Sequence, residues 1–210
     1  MFRLAVIGDF QVGKSTFINA LMGRRVAAMG DGLPTTKGVK NGYIVPGADI
    51  CLIDSPGFNA CQRDTSDAIT LIRIADACLF MFRDKAVVDM EAIRKVLKTN
   101  DGTQKLILAV YNTRTPNAQS SIEVQCESLA VMKDCGVYPL LMAQDRIPIV
   151  NAKSWFERGG EPISKDERWL RWLLGLESRR IGAPLVHICQ AHKEVQSFGA
   201  DTQCWVVPKS

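Results

Sequence analysis

No two cysteines of this chain are spaced C-x-x-C, and its two histidines, His187 and His192, have no ligand-spaced companions, so a tetrahedral zinc site is not expected. The cysteines are odd in number, seven, and Cys51 and Cys78 sit inside apolar runs. Reduced structural thiols of a cytoplasmic protein are the expected state. Long apolar runs are missing too, since none approaches the roughly 18 residues of a membrane span. A first strand expected from Phe2 leaves no room for a charged, apolar and cleavable leader. Strong charge is also missing: the formal net charge is only +4, with Lys and Arg spread along the chain, which argues for neither nucleic acid nor membrane as a partner. There is no internal repeat and no low-complexity segment. What remains is 210 residues at 47% hydrophobic content, enough for one buried core and unlike a disordered or fibrous chain.

Within that composition one stretch carries chemistry. Gly8-Asp9-Phe10-Gln11-Val12-Gly13-Lys14-Ser15 spells G-x-x-x-x-G-K-S/T between a strand-like run, Phe2 to Ile7, and a helix-like run, Ser15 to Met22. The glycines let the backbone turn tightly, so that successive N–H groups, those of Gly8, Val12, Gly13 and Thr16 among them, face a bound triphosphate. Lys14 supplies a positive charge at the β and γ phosphates, and the Ser15 hydroxyl is placed to ligate Mg²⁺. The helix N-terminus behind the loop adds its dipole and unpaired N–H groups.

Further along, Tyr43 to Val45 and Ile50 to Ile53 flank Pro46-Gly47 and predict a hairpin leading to Asp54-Ser55-Pro56-Gly57. A helical pattern from Asp64 carries Ile69, Ile72 and Ala75 on one face. Cys78 to Phe82 and Leu106 to Tyr111 read as buried strands, with a helix marked by Met90, Ile93 and Leu97 between them. Another helix carries Ile122, Cys126 and Leu129, a last core strand covers Ile147 to Val150, and Ser164 to Glu167 is a capping-box signature for a final helix. That final helix, with Trp169, Trp172, Lys165, Arg168 and Arg171, is either the closing core element or a basic amphipathic surface. Strands alternating with helices predict an α/β fold, a mostly parallel sheet with helices on both faces and ligands at the strands' carboxyl ends. Residues 1–178 are expected to form this domain and 179–210 a C-terminal extension packed on it.

Asp54, at a strand end opposite the phosphate loop, can hold Mg²⁺ through water, and Gly57 can offer its N–H to a γ-phosphate. Thr36, in the loop Gly30 to Gly42, is the expected residue to close over that phosphate and reach the metal and the attacking water, with Thr35 as its rival.

Together these residues resemble the translation-factor-related phosphate-loop GTPases, in their Era-like and dynamin-like branches. Gly8 through Gly23 is similar to the family's G-x-x-x-x-G-K-S-S/T-x-I/L-N-x-I/L-x-G opening, Pro34-Thr35-Thr36-Lys37 to its first switch, Asp54-Ser55-Pro56-Gly57 to its second, and Ala152-Lys153 to the loop beside the base. The resemblance implies the three-layer P-loop NTPase fold over about residues 2 to 178, GTP and GDP as ligands with Mg²⁺, and slow hydrolysis stimulated by a protein effector or by a homodimer across the nucleotide face. It also implies Lys14, Thr36 and Gln11 as the catalytic set.

Two departures qualify that implication. The guanine-reading motif of the family is N/T-K-x-D, whereas the segment here is Asn112-Thr113-Arg114-Thr115. Arg114 can stack on a purine, and Thr115 can accept one hydrogen bond where the family's carboxylate accepts two, so either guanine preference is weakened or the loop no longer reads the base. After Gly57 stands Phe58, which can neither orient water nor supply positive charge. In the resembled branches that work passes to the phosphate loop, to a monovalent cation such as K⁺, or to a partner. Gln11 occupies the relevant loop position, either reaching the β/γ bridge or cation, or simply solvated. Three readings follow: a regulatory or assembly GTPase, a pseudo-GTPase docking module, and a phosphate-loop kinase or ATPase, the last disfavoured by the second-switch element and the threonine loop.

Overall fold

Alternation along β1 (Phe2–Gly8) sends Leu4 and Val6 to one face of a sheet and Ala5 and Ile7 to the other, and all four are fully buried. The computed structural model describes residues 1–28, 42–57, 62–83, 106–113, 129–130, 139–140, 142, 146–176 and 183–197. Among these, β1 is joined by β2 (Gly42–Ile44), β3 (Ile50–Asp54), β4 (Ala77–Arg83), β5 (Leu106–Asn112), β6 (Pro139–Leu140) and β7 (Ile149–Val150). The strand order is β2-β3-β1-β4-β5-β6, with β7 also on β5, and only the β2–β3 hairpin is antiparallel. Continuous apolar runs in β4 and β5 suit this arrangement, because a parallel sheet is covered on both sides.

Five described helices supply the cover: α1 (Lys14–Met22), α2 (Gln62–Ile74), α3 (Ala152–Glu157), α4 (Lys165–Leu173) and α5 (Pro184–Ser197). Phe17 and Leu21 of α1, Trp155 of α3, Leu170 and Leu173 of α4, and Leu185 and Cys189 of α5 pack with Leu4, Leu79 and Leu108 on one face. Ala68, Leu71 and Ile72 of α2 pack with Ile7, Phe80 and Tyr111 on the other. This is the three-layer α/β architecture read from the strand and helix alternation. The α4 helix closes the core, with Trp169 and Trp172 half-buried against it.

Several local expectations are refined. The run Ile147 to Val150 forms a ladder only at Ile149–Val150, because Pro148 has no N–H to donate and contributes its carbonyl to Tyr111 instead. Beyond the helix at Ser164 the 179–210 extension contributes α5, opening on Pro184, a residue suited to the first helical position. The short helix α3, capped by Asn151, whose side chain accepts from the Ser154 N–H, has no apolar period that would announce it. Cys51, Cys78 and Cys189 are not in disulfides, and burial pushes the Cys51 thiol above its ordinary value. The expected helices around Met90 to Leu97 and Ile122 to Cys126 lie outside the described residues.

The start of α4 is fastened by two ion pairs, of which the one to Arg146 is bidentate. Asp166 accepts from both Arg146 Nη atoms and from the Ile149 N–H, while Glu167 accepts from Arg158 Nη2 and from the backbone of Ile163 and Ser164. Asp166 thereby draws a guanidinium close, and that contact raises the Arg146 pKa above its usual value. The Glu167 side chain is only 5% exposed, so its removal strands buried donors. Glu167→Ala is expected to lower unfolding free energy by about 2–4 kcal/mol in urea titrations. Lys153→Ala, which breaks an exposed pair with Glu157, is expected to change it by no more than about 0.5 kcal/mol in the same assay.

Candidate functional site

The carboxyl ends of β1, β3, β4, β5 and β7 meet at one edge, placing Gly8, Asp54, Arg83, Asn112 and Val150 together. The ladder fixes their levels: Asp54 is opposite Val6, Gly8 opposite Met81, and Asn112 opposite both Arg83 and Val150. From β1 the chain finds a parallel neighbour on each side, β3 and β4, which makes this end of β1 the switch point at which such sheets bind ligands.

The phosphate loop fills that edge. Lys14 is buried, and its Nζ donates to the carbonyls of Gly8 (3.2 Å) and Asp9 (2.9 Å), so the ammonium spans the loop. The Phe10 N–H donates to Asp9 Oδ1 at 2.6 Å. Gly13 has φ 94° and immediately precedes α1, and a Cβ there would lie 2.5 Å from Asn112 Nδ2. Only glycine serves at this point. Gln11 is exposed and adopts φ 61°, the left-handed region that costs an L-residue about 1–2 kcal/mol. Its carbonyl accepts a 2.7 Å hydrogen bond from Arg83 Nη1.

Asn112 joins three segments. Its Nδ2 donates to the Val12 carbonyl at 2.7 Å, and its Oδ1 accepts from the Ala152 N–H at 3.0 Å. Both ends of the amide are therefore engaged with backbone, and the residue acts as a tie between the phosphate loop and the start of α3. Thr113 is buried, with its N–H on the Val150 carbonyl. Lys153 projects into solvent.

Ser15 Oγ donates to Asp54 Oδ2 at 2.6 Å, bringing the hydroxyl and the carboxylate predicted to hold metal into contact. Asp54 is buried. Two hard oxygen donors fit Mg²⁺, which takes few protein ligands and completes its shell with water and phosphate. Among the described residues no group of three or more His, Cys, Asp or Glu could hold a metal ion. Gly57 packs directly on the loop, where a Cβ would come within 2.5 Å of Phe10 Cα, so the second-switch glycine touches the phosphate loop. Thr35, Thr36, Phe58, Arg114 and Thr115 lie outside the described residues.

The structure thus brings Gly8, Gln11, Val12, Gly13, Lys14, Ser15, Thr16, Asp54, Gly57, Asn112, Thr113 and Ala152 to one edge. Arg83 is a site residue that the motifs did not mark. Its signal was a lone cation closing the apolar run Cys78 to Phe82.

Residues 3–113, a little over half of the chain, match the 50S ribosome-binding GTPase family. The chain is 36% identical over 84 residues to GTPase Era of Lacticaseibacillus paracasei, covering 37% of this chain and 28% of that protein. It is 29% identical over 136 residues to GTPase Era of Geobacter metallireducens, covering 54% of this chain and 46% of the relative. It therefore spans less than half the length of these curated relatives. Among solved structures, Era in complex with MgGDPNP and a segment of 16S ribosomal RNA superposes with a TM-score of 0.55 at 20% identity, over 73% of this chain and 51% of that one. The elongation factor SelB of Methanococcus maripaludis, with the GTP analogue GppNHp, gives 0.53 at 15% identity, over 75% of this chain and 31% of that one. Those likenesses establish the fold, and the sequence match establishes the kinship. The chain belongs to the 50S ribosome-binding GTPase family, with an Era-like G domain of the translation-factor-related phosphate-loop GTPases.

Proposed function

We propose that this protein binds GTP and GDP with Mg²⁺ and hydrolyses GTP slowly, as a regulatory or assembly switch. The observation that carries the reading is the convergence of Lys14, the Ser15–Asp54 pair and Gly57 on one preformed loop. Lys14 would hold the β and γ phosphates, and the N–H groups at the start of α1 would receive the phosphate oxygens. Ser15 and Asp54 would hold the metal, which when bound supplies charge neutralisation at the bridging oxygens. Gly57, seated against Phe10, would sense the γ-phosphate, and Thr36 would close over it. Loss of that phosphate would release both segments, as expected of a switch.

Gln11 is exposed, in keeping with a group that meets a cation or a partner across the nucleotide face. A protein effector or a second copy of the chain is the expected stimulator. The RNA bound in the Era structure adds RNA to the partner classes worth testing, against the expectation drawn from dispersed charge. Residues 1–178 are proposed as the G domain and 179–210 as its extension, acting in the cytoplasm. A second reading, a pseudo-GTPase that holds nucleotide without turnover, is favoured by Thr115 and Phe58, which stand where the base-reading carboxylate and a water-orienting group would be.

Displacement of a fluorescent GDP by GTP and by ATP tests base reading. With Asn112 retained as a tie and the carboxylate gone, GTP is expected to win by about 10- to 100-fold, less than an intact hydrogen-bonding pair would give. Equal displacement would show that guanine recognition is lost. Lys14→Ala is expected to weaken GDP binding about 100-fold.

Single-turnover hydrolysis in sodium and in potassium, for wild type and Gln11→Ala, tests the enzyme reading. Turnover on the order of 10⁻⁴ to 10⁻² s⁻¹ is expected without a partner. Rates that depend on both Gln11 and potassium would assign the cation role, and equal rates in all four would remove it. No phosphate release under any condition would leave the docking module.

A further inference from the structure

We infer that Arg83 is a positioning residue of the nucleotide site, holding the phosphate loop in its anion-binding shape by gripping the Gln11 carbonyl. The inference rests on the guanine-nucleotide reading above and extends it to a residue outside every motif.

Gln11 takes a left-handed conformation, which glycine adopts freely and glutamine does not. Contacts that hold the segment must offset that cost. The Arg83 guanidinium, at 2.7 Å from the Gln11 oxygen, is the contact that does so. Because a peptide is planar and trans, its C=O and N–H point in opposite directions. Fixing the Gln11 oxygen on Arg83 therefore aims the Val12 N–H to the other side of the loop, where the successive donors of a phosphate loop meet their anion.

Asn112 does the same to the next peptide, since its Nδ2 holds the Val12 oxygen and thereby sets the Gly13 N–H. Arg83 and Asn112 are register partners on the adjacent strands β4 and β5. Two consecutive peptides of the loop are thus clamped by one cross-strand pair at the sheet edge. Asn112 belongs to the motif that the family uses for the base. Arg83 lies in no motif, and its place at the final residue of β4 makes it the second jaw.

Four proteins test this: wild type, Arg83→Met, Gln11→Gly, and the double variant, each measured for GDP affinity by calorimetry and for melting temperature. Arg83→Met is expected to weaken GDP binding about ten-fold, with a melting temperature within about 2 °C of wild type. In the Gln11→Gly background the same change is expected to cost less than about two-fold, because glycine enters the left-handed conformation at no steric cost that a contact would have to offset. Arg83→Gln must give the same ratios, which guards against a defect peculiar to methionine. Arg83→Met binding as wild type does would overturn the inference. So would a ten-fold loss that persists in the Gln11→Gly background, which would assign Arg83 to direct charge on the phosphates. A wild-type protein that binds no GDP would overturn the guanine-nucleotide reading itself, and the inference with it.

Discussion

The buried amide of Asn112 is the contact on which the site's shape depends. It joins the Val12 carbonyl to the Ala152 N–H, across 100 residues on one side and 40 on the other. The phosphate loop, the end of β5 and the start of α3 are held at fixed distances by one side chain. The central β1 strand, flanked by β3 and β4, anchors the loop from below, and Gly57 meets it from the side. A site built this way holds the loop's shape through contacts of the protein itself, which would spare binding energy from ordering it.

Preorganisation of the phosphate end contrasts with economy at the base end. The amide of Asn112 is tied to backbone at both its nitrogen and its oxygen, and the next three residues offer neither the expected lysine nor the expected carboxylate. In the proposed reading, the residues that would grip phosphate and metal are present, whereas two that read guanine in the resembled family, its lysine and its carboxylate, are replaced. A switch driven by the γ-phosphate depends on the first set, whereas discrimination between purines depends on the second.

Legibility followed the range of the interactions. Gly8 to Ser15 was readable because the motif encodes its own conformation and chemistry within eight positions. The capping box of Ser164 and Glu167 and the alternation of Leu4, Ala5, Val6 and Ile7 were readable for the same local reason. Arg83 was not, since its partner is 72 positions away and an arginine closing a strand has many ordinary uses. The left-handed Gln11 was hidden because glutamine is not a residue that announces such a conformation. The two-residue β6 and the six-residue α3 are too short to show a period, and they form because tertiary partners, β5 for one and Phe17 against Trp155 for the other, supply what local propensity does not.

The central claim is that this loop is a prebuilt seat for a guanine nucleotide with its metal. A crystal structure grown with GDP and Mg²⁺ tests it most directly. The account predicts phosphate density against the loop backbone and Lys14, a metal ion in contact with Ser15, and the Asn112 tie to Val12 and Ala152 intact. Nucleotide bound elsewhere, or a loop that must be rebuilt to receive it, would contradict the account.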